Sequence, residues 1–309
     1  MSYCKIFKKI IIVFIYALCV LLFTEGILRL AGNIYAPLPK PGQISEGAFN
    51  IVCFGDSFTY GWGVDAAQTY PRQLEKLLSD NELFDKKVRV FNLGVPGSNS
   101  SQILKYLYKI LSNYKKPEIA IILTGVNDSW NFAESNLLEI TRPSLPLTMQ
   151  SKAKILLAKA KIYKLFKIIK LNLKGKTLKA QSDPFKIIPK YESVGIDSLK
   201  KLLEYNLTKM IKVAHANGVC IILHSYPRGD PYGGEIGKSV ADRFSVPFVD
   251  NTSLFEKKLE LLNFADLFLY DNSHPNADGY KIIAEGLAKV IIEQMKNKKV
   301  TKTKRDNFL

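Results

Sequence analysis

Cysteine and histidine are scarce in this chain, with four of the first and three of the second among 309 residues. No two cysteines form a C-x-x-C pair and none stands near a histidine at zinc-ligand spacing, which excludes a disulfide scaffold and a structural zinc site. Glycine and proline, 19 and 14 in number, are too few for a collagen-like or low-complexity chain. At 47% hydrophobic and 23% charged residues, one large globular domain or two small ones is the class that is left.

Acid is missing from residues 151–180, which hold ten lysines and no Asp or Glu. Residues 1–9 carry +3 and residues 296–309 a net +5, out of +16 for the whole chain. With those three stretches set aside, the remainder holds slightly more acid than base, so the positive charge is local. A basic nucleic-acid platform is therefore not expected, and no zinc-finger or RNP-type motif accompanies the charge.

Residues 10–23 form an unbroken apolar run of 14, preceded by Lys5, Lys8 and Lys9. That length fits the apolar part of a signal peptide; it also spans a membrane if Glu25 and Arg29, four apart on one helical face, pair at the interface. No A-x-A cleavage site follows, so the expectation is an uncleaved signal anchor over 1–32. The lysines before the run, with no such cluster after it, put the N-terminus in the cytoplasm and the body outside it, in the cell envelope. Residues 33–49, with Pro37, Pro39, Pro41 and Gly42, read as a stiff linker.

Beyond the linker, short apolar runs at 49–54, 88–93, 119–123, 219–223 and 246–249 alternate with helix-period stretches at 70–79, 102–111, 198–216 and 279–296, the last with Asp278 as its cap. Continuous apolar strands between helices predict an α/β fold, a three-layer α/β/α sandwich on a central parallel sheet of about five strands. The domain is expected over 50–295, followed by a basic tail at 296–309. Ligands of such sheets bind beyond the carboxyl ends of the strands, so the residues after each run matter most.

Those residues are Gly55-Asp56-Ser57, Gly94-Val95-Pro96-Gly97, Gly125-Val126-Asn127-Asp128 and, before the last helix, Asp271-Asn272-Ser273-His274. A serine hydroxyl needs a base to become a nucleophile, the base needs a carboxylate to fix its tautomer, and a developing oxyanion needs donors set in place beforehand. Asp271 and His274, three apart, suit a turn that brings the carboxylate to one ring nitrogen while the other faces a serine. The G-x-S-x-G elbow of α/β hydrolases is absent around Ser57.

In these four blocks, with Asn92-Leu93 ahead of the second and Pro275 after the fourth, the sequence resembles the SGNH, or GDSL, hydrolase family over about residues 50–295. The stretch from Gly55 to Val64 with Tyr70-Pro71 is similar to its membrane-anchored bacterial branch. The resemblance implies a flavodoxin-like fold and a serine ester hydrolase in which Ser57 is the nucleophile, His274 the base and Asp271 its orienter. It also implies an oxyanion hole of the Ser57 N–H, a glycine N–H and the Asn127 amide. Gly97 is the glycine carried over, with Gly94 as the alternative.

The long basic insertion at about 137–190 departs from the family's compact form and reads as a lid or a dock. Within it, 152–174 has apolar residues at helical spacing with lysines elsewhere, fitting either an interfacial helix on anionic lipid or a helix packed on the domain. The expected substrate is a small-molecule, glycan or lipid ester, with no metal or cofactor and no nucleic acid. An O-acyltransferase on a surface polysaccharide using the same triad, and a glycan-binding or assembly protein without turnover, stay open as alternatives. His224 ends an apolar run and either lines the pocket or packs, His215 suits a helix end, Cys53 and Cys220 read as buried apolar side chains, and Tyr60 and Trp62 either wall the acyl site or pack their loop.

Overall fold

In the computed structural model, the residues described are 2–35, 44, 47–129, 135–136, 149, 157, 160–163, 165–166, 195–230 and 232–306. Much of the expected linker at 33–49 and most of the basic insertion at 137–190, including most of 152–174, lie outside them. The chain divides into two compact units, Met1–Leu38 with Leu147–Lys179, and Pro39–Pro146 with Ala180–Leu309.

In the first unit, α1 (Ser2–Tyr35) is one helix, and its stretch Phe7–Ala31 is long and apolar enough to cross a membrane by length and composition. Glu25 pairs with Arg29 at 2.7 Å, one helical turn away. The same carboxylate accepts the backbone N–H groups of Lys161 at 3.0 Å and Ile162 at 2.9 Å, satisfying donors at the start of a short helical turn.

The second unit is a doubly wound α/β sandwich. Its strands are β1 (Phe49–Gly55), β2 (Val88–Gly94), β3 (Ile119–Ile122), β4 (Cys220–His224) and β5 (Phe248–Val249), all parallel in the order β2-β1-β3-β4-β5. The helices are α2 (Ser57–Tyr60), α3 (Tyr70–Ser79), α4 (Ser100–Asn113), α5 (Ile196–Ala216), α6 (Gly233–Phe244), α7 (Asn251–Leu259) and α8 (Ala277–Asp306). Alternation along the strands fills two cores: Val52, Phe54, Ala120, Ile122, Ile221 and Leu223 face α4, α5 and α6, while Ile51, Cys53, Ile119, Ile121, Ile222 and Val249 face α3, α7 and α8. Both faces are buried, which is why these strands read as continuous apolar runs. The order reverses between β1 and β3, and the carboxyl ends of strands at such a switch point are where ligands of doubly wound sheets bind.

Four local expectations need correction. β5 begins at Phe248 rather than 246, because Val246 N–H closes the end of α6 on Ala241 O at 3.0 Å and Pro247 has no N–H to give. The last helix starts at Ala277 with Asn276 as its cap, its Oδ1 accepting from Asp278 N at 3.1 Å and Gly279 N at 3.0 Å; Asp278 sits inside the first turn. That helix runs on to Asp306 through most of the basic tail, whose lysines are good helix formers. Cys220 is exposed, since it is the first residue of β4, at the amino-terminal end of the sheet, whereas Cys53 is buried.

Candidate active site

Ser57 stands where β1 runs out into α2. Asp56 caps that short helix by accepting from Phe58 N at 3.0 Å, and Ser57 is its first residue. The turn is so tight that a Cβ on Gly55 would lie 2.0 Å from Thr59 Oγ1, and one on Gly94, at the end of neighbouring β2, would lie 2.1 Å from Tyr60 N. Glycine at both positions lets β1 close on the Thr59 side chain and β2 on the backbone of α2.

His274 reaches this corner from a loop more than two hundred residues away in sequence. Its Nε2 lies 2.8 Å from Ser57 Oγ and its Nδ1 lies 2.6 Å from Asp271 Oδ2. Asp271 Oδ1 accepts the backbone N–H groups of Ser273 and His274, both at 2.9 Å. The loop is closed by Leu269 N–H on His274 O and Asn272 N–H on Leu269 O, both at 2.9 Å, and Asn272 takes the left-handed φ of +54° that asparagine tolerates. Arg228 Nη1 donates to Asn272 O at 2.7 Å while its guanidinium covers the Phe264 ring at 5.0 Å. Burial alone would raise the Asp271 carboxyl, but the N–H bonds from His274 and Ser273 and the imidazole outweigh it and hold the group below its ordinary range. The acid is thus ionised where it faces Nδ1. Phe58 lies along the imidazole, ring centroids 4.5 Å apart, and Trp62 at 6.4 Å.

Asn127 follows β3 in a short helical turn, and its Nδ2 donates to Asp56 Oδ2 at 2.9 Å and to Ser98 O at 3.1 Å. One side chain thereby ties the first block to the residue after Gly97. Gly97 itself turns the chain at φ +74°, between Val95 O and the Ser98 N–H that bonds it at 3.1 Å. The Gly94 N–H donates to Asn92 Oδ1 at 2.9 Å.

Behind these groups lie buried acids. Burial pushes Asp56 up to about 6, partly offset by the Tyr226 hydroxyl donating to Oδ2 at 2.7 Å and by Phe58 N–H. Burial pushes Asp128 up to about 7, offset in part by Ser100 N–H at 2.6 Å, the first amide of α4. Among the described residues, no group of three or more His, Cys, Asp or Glu is arranged to hold a metal.

The raised Asp128 has a measurable consequence. In the unfolded chain this carboxyl loses its proton near pH 4, while the folded protein keeps it to about pH 7, so between those values only the native state holds the proton and stability falls as pH rises. The displacement from 3.8 to about 7 corresponds to about 4 kcal/mol. Asp128→Asn keeps the acceptor for Ser100 and has no proton to lose. Its melting temperature relative to the parent should therefore climb steadily from pH 4.5 to 7.5; a difference that stays flat across that range would refute the account.

His224 packs inward rather than lining the site. It is buried, 5% exposed, with Nδ1 2.9 Å from Asn251 Nδ2 and the Tyr70 ring edge-on at 5.4 Å. Burial lowers it to about 3, which keeps it neutral. His215 is exposed at the end of α5. Tyr226, Ser98 and Arg228, which hold the site together, were not singled out in the sequence; Tyr226 lies two residues beyond β4, where the rule of strand carboxyl ends would have pointed.

Residues 53–282 match the GDSL-like lipase/acylhydrolase family. The chain belongs to that family. Membership of this GDSL-like family places it among ester hydrolases. An acetylxylan esterase of Xylanibacter ruminicola is 27% identical over 140 residues, covering 40% of this chain and 27% of the relative, so the GDSL-like chain spans only a minor part of that protein's length. Among solved structures, an acetyl-xylooligosaccharide esterase from Geobacillus is similar at 20% identity and TM-score 0.48, covering 80% of this chain and 95% of its own. The esterase EstA of Pseudoalteromonas sp. is similar at 15% identity and TM-score 0.46, covering 80% and 99%.

Proposed function

We propose that this protein is a membrane-anchored serine esterase that deacylates a glycan or lipid ester of the cell envelope, outside the cytoplasm. The observation that carries the reading is the unbroken line of hydrogen bonds from Ser57 Oγ through the His274 ring to Asp271, at 2.8 and 2.6 Å. His274 Nε2 takes the hydroxyl proton as Ser57 Oγ attacks the ester carbonyl, Asp271 stabilises the imidazolium, and the proton then passes to the leaving alcohol. Water, deprotonated by the same imidazole, releases the acid from the acyl-enzyme. The tetrahedral oxyanion is held by the N–H groups of Ser57 and Gly97 and by the Asn127 amide, which turns one N–H from Asp56 or Ser98 toward it.

The anchor is α1, with Lys5, Lys8 and Lys9 on the cytoplasmic side of the span. The name of the Xylanibacter relative favours an acetylated glycan among the candidate esters. A fluorophosphonate probe tests the chemistry directly, because only an activated serine attacks it. The full-length protein in detergent should form one covalent adduct, mapped by peptide mass to Ser57, and His274→Gln should block it. A folded protein that stays unlabelled would overturn the assignment.

A further inference from the structure

Trp62 has a placement that neither packing nor the triad accounts for. The residue is 49% exposed, yet its backbone is anchored: its N–H bonds Ser57 O at 3.0 Å, and it stands between Gly61 at φ +87° and Gly63 at φ +81°. A large aromatic side chain left half in solvent on an anchored backbone forgoes part of the gain of burial and suits a ligand surface. Its loop rests on a second one, since a Cβ at Gly63 would lie 2.3 Å from Leu269 Cδ1. The next residue there is Tyr270, 90% exposed and directly before Asp271. Tyr60, three residues after Ser57, is 52% exposed.

Position relative to His274 tells which half of the substrate this surface meets. The imidazole hands its proton to the leaving alcohol, so the alcohol must lie on the His274 side of the reacting carbon. Trp62 adjoins that imidazole, with ring centroids 6.4 Å apart. Tyr60 and Tyr270, on the two loops that meet at Gly63 and Leu269, bring phenol hydroxyls to solvent alongside this indole-bearing segment. An alcohol that matches it is a flat ring with an apolar C–H face and a polar edge.

We infer that Trp62 and Tyr270 form a leaving-group platform on which a pyranose ring of an acetylated glycan stacks, so that they set specificity for the sugar rather than for the acyl group. The inference rests on the serine-esterase reading and adds the substrate class to it. The test compares acetylated xylo-oligosaccharides with triacetin, which carries the same acyl group on an alcohol without a ring, using the full chain in detergent. For Trp62→Ala the ratio of kcat/KM on the oligosaccharide to that on triacetin should fall about tenfold, mainly through KM, as expected for one lost stacking contact. Trp62→Phe should restore most of it. Tyr270→Ala, at a side chain too exposed to matter for folding, should lower the same ratio several-fold.

An unchanged ratio in Trp62→Ala and Tyr270→Ala, with triacetin still cleaved, overturns the platform and leaves the esterase standing. A fall in lysophospholipid cleavage with the oligosaccharide unaffected overturns the sugar assignment in favour of a lipid alcohol. Parent protein inert toward every ester would bring down both readings together.

Discussion

Ser57→Ala is expected to lower ester turnover by about 10⁴- to 10⁶-fold, and His274→Ala by a similar factor. The two act as one unit: without the hydroxyl there is nothing to deprotonate, and without the imidazole the hydroxyl keeps its proton. The double variant should therefore be no slower than either single one, whereas independent contributions would multiply. What survives is water attack assisted by the oxyanion donors. Removal of a single such donor, Asn127→Ala, should cost only about 10²- to 10³-fold, because the other donors stay. Steady-state kinetics on triacetin with all four proteins checks the order. Ser57→Ala retaining a tenth of the parent rate would remove the serine from the mechanism.

Much of this site was legible because each of its parts is a short loop following a strand that is buried on both faces. Ile51 to Phe54 and Ile119 to Ile122 are buried throughout, so the runs that mark β1 and β3 also mark where Ser57 and Asn127 emerge. The fourth block was legible by chemistry, since an acid three residues before a histidine is rare in a chain with three histidines. The hydrogen bonds between blocks were not. Asn127 bonded to Asp56, and Tyr226 to the same carboxylate, join residues 71 and 170 positions apart, and nothing local encodes such a pairing.

Helices α6 and α7 escaped notice for a different reason. α6 opens on Gly233 and Gly234, poor helix formers, and is started by Asp230 Oδ1, which accepts from the N–H groups of Tyr232, Gly233 and Gly234. α7 spans nine residues and is started by Asp250 accepting from Ser253 N at 3.2 Å. Local side-chain caps, rather than apolar periodicity, set where both begin. His224 shows the complementary limit: a strand end on the correct edge of the sheet still turned inward, because Asn251 offered its Nδ1 a partner at 2.9 Å.

The Asp271→Asn variant separates orientation from charge at the same position, and the geometry fixes its outcome. Oδ1 of Asp271 accepts two backbone N–H groups, from Ser273 and His274. An asparagine here must keep its carbonyl oxygen at those donors, since the reverse rotamer would set its NH₂ against two N–H groups and leave both unpaired. The NH₂ then faces His274 Nδ1, which can only accept from it. The ring proton is forced onto Nε2, pointing at Ser57 Oγ, and the imidazole can no longer take the serine proton. kcat should fall about 10⁴-fold, the size of the equivalent change in serine proteases, while KM for triacetin moves little. Asp271→Ala, which imposes no tautomer, should retain more activity than Asp271→Asn despite the larger truncation. If the alanine variant is instead the slower of the two, the carboxylate acts chiefly through its charge on the imidazolium, and the tautomer argument fails.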